Sequence, residues 1–217
     1  MPVIYIIGDS LAATKLDSKK PETGWGEMLT HFLPDHYIVS NHAINGRSTK
    51  SFIDEKRLET IDQVIQPGNL LLIQFGHNDQ KKEDPSRYTD PYRDYQNNLI
   101  QMINVALLHH AKPILITSIS RRVFVYDHIL DGSTLGDYPD AMRMVAKAHR
   151  IPLIDMYQTT QALISTLGVE GSKRLFLHLD TGIHPNYPDG VKDNTHLSIE
   201  GAELIASLIG LELRKYL

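Results

Sequence analysis

Short runs of consecutive apolar residues occur along the chain, and longer polar or mixed segments separate them. The stronger runs are Val3–Ile7, Leu70–Phe75, Pro113–Thr117 and Pro152–Ile154, and a weaker one is Tyr37–Val39. Each run has the length of a strand, and the stronger ones are apolar at consecutive rather than alternate positions. Strands buried on both faces of a parallel sheet have this pattern. The sequence therefore predicts about five parallel strands.

Apolar residues recur at helical spacing between these runs. One face comprises Tyr95, Leu99, Met102, Ile103 and Ala106; a second, near the C-terminus, comprises Ala202, Ile205, Ile209 and Leu213, with Ser198 as its predicted N-cap. Alternating strands and helices predict an α/β fold, a three-layer α/β/α sandwich. The polar, proline-containing segments Lys81–Asp94, Tyr126–Pro139 and Thr181–Asp193 are predicted loops. No repeat or linker interrupts the pattern, so we expect a single domain over residues 1–217.

Composition excludes several classes of protein. Lysine and arginine number 22 and aspartate and glutamate 26, so the net charge of −4 disfavours binding to nucleic acid. The chain has no cysteine, which excludes disulfides, thiolate metal sites and a cysteine nucleophile. No apolar run approaches the roughly 20 residues of a membrane helix. The first predicted strand starts at once, without a secretory signal, so we expect a cytoplasmic protein.

Polar residues follow the predicted strands where these strands end. Ser10 follows the first strand, Gly46 lies in the loop after the second, and Asn78 comes after the third. Asp193 and His196 stand three positions apart, just before the C-terminal helix. Ligands of parallel α/β sheets bind at the carboxyl ends of the strands, so these residues are candidates for chemistry. Each also has a plain interpretation as a turn, loop or cap residue.

The combination of these residues indicates nucleophilic catalysis. A serine nucleophile needs a base to take its proton, the base needs a residue that orients it, and the reaction needs donors for an oxyanion. Ser10 provides the nucleophile, His196 the base and Asp193 the residue that orients the base. The Asn78 side chain and a backbone N–H at Gly46 provide the donors.

The ordered set Ser10, Gly46, Asn78 and His196 resembles the SGNH (GDSL-type) hydrolase superfamily, which is named after these four residue types. The resemblance runs nearly from end to end of the chain. It implies a flavodoxin-like fold, with Ser10 as nucleophile, His196 as base and Asp193 as the residue that orients it. The N–H groups of Ser10 and Gly46 and the side chain of Asn78 would form the oxyanion hole. No metal or organic cofactor is implied.

A narrower resemblance is to rhamnogalacturonan acetylesterases, which remove acetyl groups from a pectin backbone. The segments that carry it are Gly24–Gly26, Asn45–Thr49, Gln74–Asp79, Ser120–Arg122 and Asp193–His196. It implies a serine esterase that acts on acetylated, pectin-derived oligosaccharides through an acetyl-serine intermediate.

Four further residues are candidates for substrate binding. Trp25, the only tryptophan, offers a stacking surface for a sugar, although a lone tryptophan also fits a core position. Arg47 and Arg122 are candidates to hold a carboxylate such as that of galacturonate, although surface arginines often bind nothing specific. His77 is a candidate to line the pocket.

Other functions stay open at this point. One alternative is an esterase of the same superfamily that acts on another acyl ester, such as acetylxylan, a lipid or a thioester. A carbohydrate-binding protein that has lost catalysis is a second alternative, which the full set of catalytic residue types disfavours. A nucleotide-binding domain is a weaker third, because neither G-x-G-x-x-G nor a P-loop lysine motif occurs.

Overall fold

The apolar runs of the sequence form the strands of a central sheet. The computed structural model describes residues 1–126 and 129–217. The strands within them, in chain order, are β1 (Val3–Gly8), β2 (Ile38–Asn41), β3 (Leu70–Gln74), β4 (Lys112–Ile116), β5 (Phe124–Tyr126), β6 (Ile129–Leu130), β7 (Leu153–Ile154), β8 (Phe176–Leu179) and β9 (Val191–Leu197).

Helices connect these strands. They are α1 (Trp25–Met28), α2 (Thr49–Asp54), α3 (Arg57–Val64), α4 (Gln96–Leu108), α5 (Tyr138–His149), α6 (Met156–Gly171) and α7 (Ile199–Leu213). Short 3-10 turns cover Asp17–Lys19, Leu29–Phe32 and Ser172–Leu175, and a π-helical turn, Pro91–Tyr95, precedes α4. None of the helices in the described residues is long and apolar enough to span a membrane.

Five of the described strands form one parallel sheet in the order β2-β1-β3-β4-β7. The first strand lies inside the sheet, between β2 and β3, so the chain changes direction across the sheet there. A crevice opens at such a point, outside the carboxyl ends of the neighbouring strands. This order is flavodoxin-like and confirms the predicted α/β fold.

Side chains of the sheet alternate between two cores. Ile4 and Ile6 pack in one core with α1, α6 and α7, whereas Tyr5 and Ile7 pack in the other with α2, α3, α4 and α5. Successive side chains of a strand point to opposite faces, so an all-apolar strand supplies both cores. The molecule therefore has three layers, with the sheet between two layers of helices.

The C-terminal helix begins as the sequence predicts. Ser198 is its N-cap, since its hydroxyl accepts a hydrogen bond from the Gly201 N–H at 3.0 Å. Two predicted loops differ from the structure. The segment Thr181–Asp193 ends in β9, which pairs with β8 as an antiparallel hairpin. In Tyr126–Pro139, residues 127 and 128 lie outside the described residues, and the remainder includes β6 and the start of α5.

Candidate active site

Ser10 lies in a tight turn directly after β1. The carbonyl of Asp9 accepts hydrogen bonds from the N–H groups of Ala12 and Ala13, and its carboxylate accepts one from the Leu11 N–H at 3.0 Å. Asp9 itself is fully buried. These bonds hold the turn, so the Ser10 side chain projects from the edge of the sheet with 9% of the residue exposed.

The strand β9 brings His196 and Asp193 to the same edge. The Ser10 Oγ lies 2.9 Å from Nε2 of His196, and Nδ1 of His196 lies 2.7 Å from Oδ2 of Asp193. The other Asp193 oxygen accepts the backbone N–H groups of Thr195 and His196, at 2.7 and 3.0 Å. The carboxylate is thus held by its own strand and aimed at the imidazole.

Electrostatics fix the tautomer of His196. Burial raises the pKa of Asp193, but the hydrogen bonds from the His196 ring and from the two backbone N–H groups outweigh it and lower this pKa to about 2. An ionised carboxylate only accepts hydrogen bonds, so Nδ1 of His196 carries the proton and donates a hydrogen bond to Asp193. Nε2 is then the acceptor for the Ser10 hydroxyl.

The backbone N–H groups of Ser10 and Gly46 are the candidate backbone donors of the cleft. Neither the Ser10 nor the Gly46 N–H donates a hydrogen bond within the described residues. Gly46 has φ of +77°, in the left-handed region where a side chain is strained, and this conformation shapes the loop after β2. Both groups belong to segments that line the same cleft.

The Asn78 side chain has a fixed orientation in this cleft. Its Oδ1 accepts a hydrogen bond from Arg87 at 3.2 Å, and its Nδ2 donates to the Arg47 carbonyl at 3.0 Å. The amide nitrogen carries a second hydrogen, which these contacts leave for a ligand. The Arg87 guanidinium also polarises the amide in the direction that strengthens its N–H donors.

The buried Asp79 ties the Asn78 segment to the loop of Gly46. Its carboxylate accepts hydrogen bonds from the backbone N–H and hydroxyl of Thr49, at 3.0 and 2.5 Å, and from the Thr89 hydroxyl at 3.0 Å. Burial raises the pKa of Asp79 to about 7, although these hydrogen bonds oppose the rise. Because Thr49 starts α2, Asp79 fixes the distance between the two loops.

These residues line a cleft of about 390 Å³. Four cationic side chains and two carboxylates line it in addition to His196, namely Lys19, Lys81, Arg87 and Arg121, and Glu22 and Asp193. Arg121 donates to the Thr195 hydroxyl at 2.9 Å rather than to a carboxylate. The four cationic side chains outnumber the two carboxylates, and Asp193 already binds His196. The cleft therefore presents an excess of positive charge to a ligand.

Trp25 is not a stacking surface, and the sequence prediction is wrong on this point. The residue has no exposed area, packs in the core and donates its Nε1–H to Gln74 at 3.3 Å. Its backbone N–H donates to the Leu11 carbonyl at 2.9 Å, and a Cβ on Gly24 would lie 2.1 Å from the Ala13 carbonyl oxygen. The Gly24–Gly26 motif therefore packs against the backbone that follows Ser10 and stabilises its turn.

Arg122 and Arg47 do not line the cleft either. Arg122 is 5% exposed, and its guanidinium donates to Ser172, Asn194 and the Val169 carbonyl, so it holds the β8–β9 hairpin against α6. Arg47 donates to the Glu55 carboxylate and to the Asn45 carbonyl, each at 3.0 Å, and is not among the residues that line the cleft. Both arginines are therefore structural.

His77 does lie on the wall of the cleft. It is 4% exposed, and its Nδ1 is 3.7 Å from Oδ2 of Asp9, too far for a hydrogen bond. Burial lowers the pKa of His77, with the Asp9 carboxylate opposing this effect, so the ring is neutral at neutral pH. It contributes to the shape of the wall.

The cationic residues Lys19, Lys81, Arg87 and Arg121 were not predicted from the sequence. Lys81 and Arg87 occur in a long polar loop, where charge alone marks no particular position. Arg121 directly precedes the predicted Arg122, and the sequence does not distinguish which of the two lines the cleft. Successive side chains of an extended segment point to opposite sides, and only the structure settles which side faces the cleft.

The fold and the cleft define an α/β serine hydrolase. The chain belongs to the family of GDSL-like lipases and acylhydrolases, whose model matches residues 4–209, and it is a carboxylic ester hydrolase. The predicted superfamily and enzyme class are confirmed. The chain is 40% identical to the rhamnogalacturonan acetylesterase RhgT of Bacillus subtilis (strain 168), over 99% of this chain and 93% of that protein.

Solved structures share the fold. A crystal structure of another Bacillus subtilis protein superimposes with a TM-score of 0.82 at 24% identity and covers 99% of this chain. The present chain spans only 56% of that protein. A catalytic mutant of Axe2, an acetylxylan esterase from Geobacillus stearothermophilus, superimposes with a TM-score of 0.70 at 15% identity, over 98% of this chain and 94% of that one.

Proposed function

We propose that Ser10, His196 and Asp193 form a catalytic triad that removes acetyl groups from acetylated, pectin-derived sugars of the rhamnogalacturonan type. One observation carries the proposal. The hydroxyl, the imidazole and the carboxylate form a continuous hydrogen-bonded chain, with contacts of 2.9 and 2.7 Å, on the wall of a charged cleft.

The first half of the reaction acetylates Ser10. His196 Nε2 takes the proton of the Ser10 hydroxyl while Oγ attacks the acetyl carbonyl carbon. The imidazolium that forms is stabilised by the ionised Asp193. When the tetrahedral intermediate collapses, the bond to the sugar oxygen breaks, and Nε2 returns the proton to this oxygen, which leaves as the sugar hydroxyl.

The second half releases acetate. His196 takes a proton from water, whose oxygen attacks the acetyl-serine carbonyl, and then returns the proton to Ser10 Oγ. Negative charge builds up on the carbonyl oxygen in both halves, and the N–H groups of Ser10, Gly46 and Asn78 are the proposed donors for it. A donor fixed in place contributes about 3 kcal/mol in serine hydrolases.

Two observations support an acidic, acetylated sugar as the substrate. The similarity to RhgT covers nearly the whole length of both chains. In addition, Lys19, Lys81 and Arg121 line the cleft, where they match the carboxylate of a uronate residue next to the ester. In this proposal Arg121, rather than the predicted Arg122, binds the carboxylate.

The experiment is to measure acetate release from acetylated rhamnogalacturonan oligosaccharides and from acetylated xylo-oligosaccharides of similar size. We expect the acidic substrate to have the higher kcat/KM. Equal rates, or faster release from xylan fragments, would overturn the proposed substrate but leave the ester hydrolase intact. The Ser10→Ala variant is the control for acetate lost without the enzyme.

Two wider expectations accompany this proposal. We expect residues 1–217 to form a single hydrolase domain, in line with a family model that matches residues 4–209. The cytoplasmic location expected from the sequence stays a prediction.

A further inference from the structure

A buried lysine, Lys15, contacts the turn of Ser10 and the loop of Gly46, which carry the backbone donors of the proposed oxyanion hole. The side chain of Lys15 has no exposed area, an uncommon position for an ammonium group. Burial of a charge is costly unless other groups replace the lost water. Lys15 is not part of the proposed triad, so its burial points to a separate role.

Lys15 makes three contacts, which match the three protons of its ammonium group. Nζ donates to the Ser10 carbonyl at 2.5 Å and to Oδ1 of Asn45 at 2.8 Å, and it lies 2.8 Å from Oε1 of Glu22. The group is thus fully satisfied without solvent. Each partner belongs to a different segment: the turn after β1, the loop after β2, and the loop before α1.

Two of these segments carry the backbone donors of the proposed oxyanion hole. Ser10 supplies one N–H, and Gly46, the residue after Asn45, supplies the other. Within the described residues, the last backbone hydrogen bond between the two segments runs from the Ile44 N–H to the Gly8 carbonyl, at 3.0 Å, two residues before each donor. The ammonium of Lys15 bridges the segments by a direct contact to each.

We propose that Lys15 is a positioning residue that sets the spacing of the Ser10 and Gly46 N–H groups. This inference rests on the proposed function. Donors stabilise a transition state only when they are fixed before charge develops, and a displacement of about 1 Å costs on the order of 100-fold in rate. The three contacts of Lys15 join the two donor segments before a substrate binds.

A neutral side chain of similar length separates this role from simple packing. Lys15→Met retains the buried volume but removes the charge and the contacts to Ser10, Asn45 and Glu22. We expect kcat for an aryl acetate to fall by about 10- to 100-fold, with KM within about twofold of wild type, because the loss falls on the transition state.

Affinity for an arylboronic acid provides a second readout. A boronate bonds covalently to the serine Oγ and places an anionic oxygen in the oxyanion hole. We expect Lys15→Met to weaken boronate binding by about the same factor as kcat/KM. Asn45→Ala breaks one arm of the bridge and keeps the charge, so we expect a smaller loss in both quantities.

The control is Ile103→Ala, a core variant of α4 on the opposite face of the sheet. It lowers stability without a contact to the proposed site, so its kcat and boronate affinity should stay at wild-type values. Unchanged kcat and boronate affinity in both Lys15→Met and Asn45→Ala would overturn the positioning role. The role would also be overturned if Ile103→Ala, at a similar fall in unfolding midpoint, lost as much kcat and boronate affinity as Lys15→Met. If Lys15→Met does not fold, Asn45→Ala decides alone. Absence of ester hydrolysis in the wild type would instead contradict the proposed function.

Discussion

Ser10 Oγ and His196 Nε2 lie 2.9 Å apart although 186 positions separate the two residues in the chain. Their contact depends on how β9 is anchored. The Leu197 carbonyl accepts the Thr23 N–H at 3.1 Å, so the end of β9 is tied to the segment between Ser10 and α1. Arg122 holds the same strand at Asn194, whose side-chain oxygen accepts a hydrogen bond from the guanidinium at 2.8 Å. The imidazole is therefore held in place before a substrate binds.

Asp193→Asn tests the role of the carboxylate. The variant keeps the size of the side chain but removes the charge that stabilises the imidazolium and fixes the tautomer. We expect kcat to fall by about 10²- to 10⁴-fold with little change in KM. Asp189→Asn, an exposed residue of the preceding turn, is the control and should retain activity. A fall in activity confined to KM would contradict the proposed role.

The same variant has a signature in stability. The pKa of Asp193 is lowered to about 2, so the ionised carboxylate stabilises the fold above the ordinary pKa near 3.8. This contribution is lost as the pH falls from about 4 to 2. The difference in unfolding free energy between wild type and Asp193→Asn should therefore shrink over that range in urea titrations. A difference that does not depend on pH would contradict the lowered pKa.

Asn78→Ala tests the side-chain donor of the oxyanion hole. We expect kcat to fall by roughly 10²- to 10³-fold, because the lost N–H acts on charge that develops in the transition state. Steady-state kinetics with an aryl acetate measures this loss. Asn104→Ala on the exposed face of α4 is the control. An effect on KM alone would show that Asn78 binds substrate in the ground state only.

Asp79→Asn tests the buried carboxyl that joins the two loops. Its pKa is raised to about 7, so the folded state holds a proton that the unfolded chain releases near pH 4. The stability that comes from this proton is present below about pH 4 and is lost as the pH rises through about 7. Unfolding titrations of Asp79→Asn should show a flatter dependence on pH between 4 and 7 than the wild type. Parallel curves would contradict the raised pKa.

Lys81→Met tests the cationic wall of the cleft. Lys81 lines the cleft, whereas its neighbour Lys82 is exposed and does not, so Lys82→Met is a matched control. We expect Lys81→Met to raise KM for an acetylated, uronate-containing oligosaccharide by about two- to fivefold, within the range of a partly exposed ion pair. The loss should decrease at high salt, because ions screen such contacts. Equal effects of the two variants would remove Lys81 from substrate binding.

The central sheet was predictable because its strands are apolar at consecutive positions. The predicted run Leu70–Phe75 corresponds to β3 (Leu70–Gln74), and the other predicted runs likewise fall on β1, β2, β4 and β7. The strand β9 was missed, because Val191–Leu197 is mostly polar and only half-buried. A polar segment that ends at a helix cap has the pattern of a loop, and its pairing with β8 depends on tertiary contacts.

The residues at the carboxyl ends of the strands were predictable, whereas the cationic residues that line the cleft were not. Ser10, Asn78 and His196 follow from the need of one reaction for several groups at one edge of a sheet. Trp25 shows the limit of residue type as a guide, since a tryptophan serves a core as well as a sugar site. The buried contacts of Lys15 to Ser10 and Asn45 join segments 5 and 30 positions apart, which only the fold brings together.

Ser10 itself provides the most direct test of the proposed reaction. The wild type is quenched with acid during turnover of an aryl acetate, and its peptides are mapped by mass spectrometry. We expect one acetyl group on the peptide that contains Ser10, and neither this adduct nor acetate release in Ser10→Ala, while Ser165→Ala, exposed on α6, behaves as the wild type. Acetate release at the wild-type rate by Ser10→Ala, or an acetyl-enzyme formed on another residue, would contradict the account.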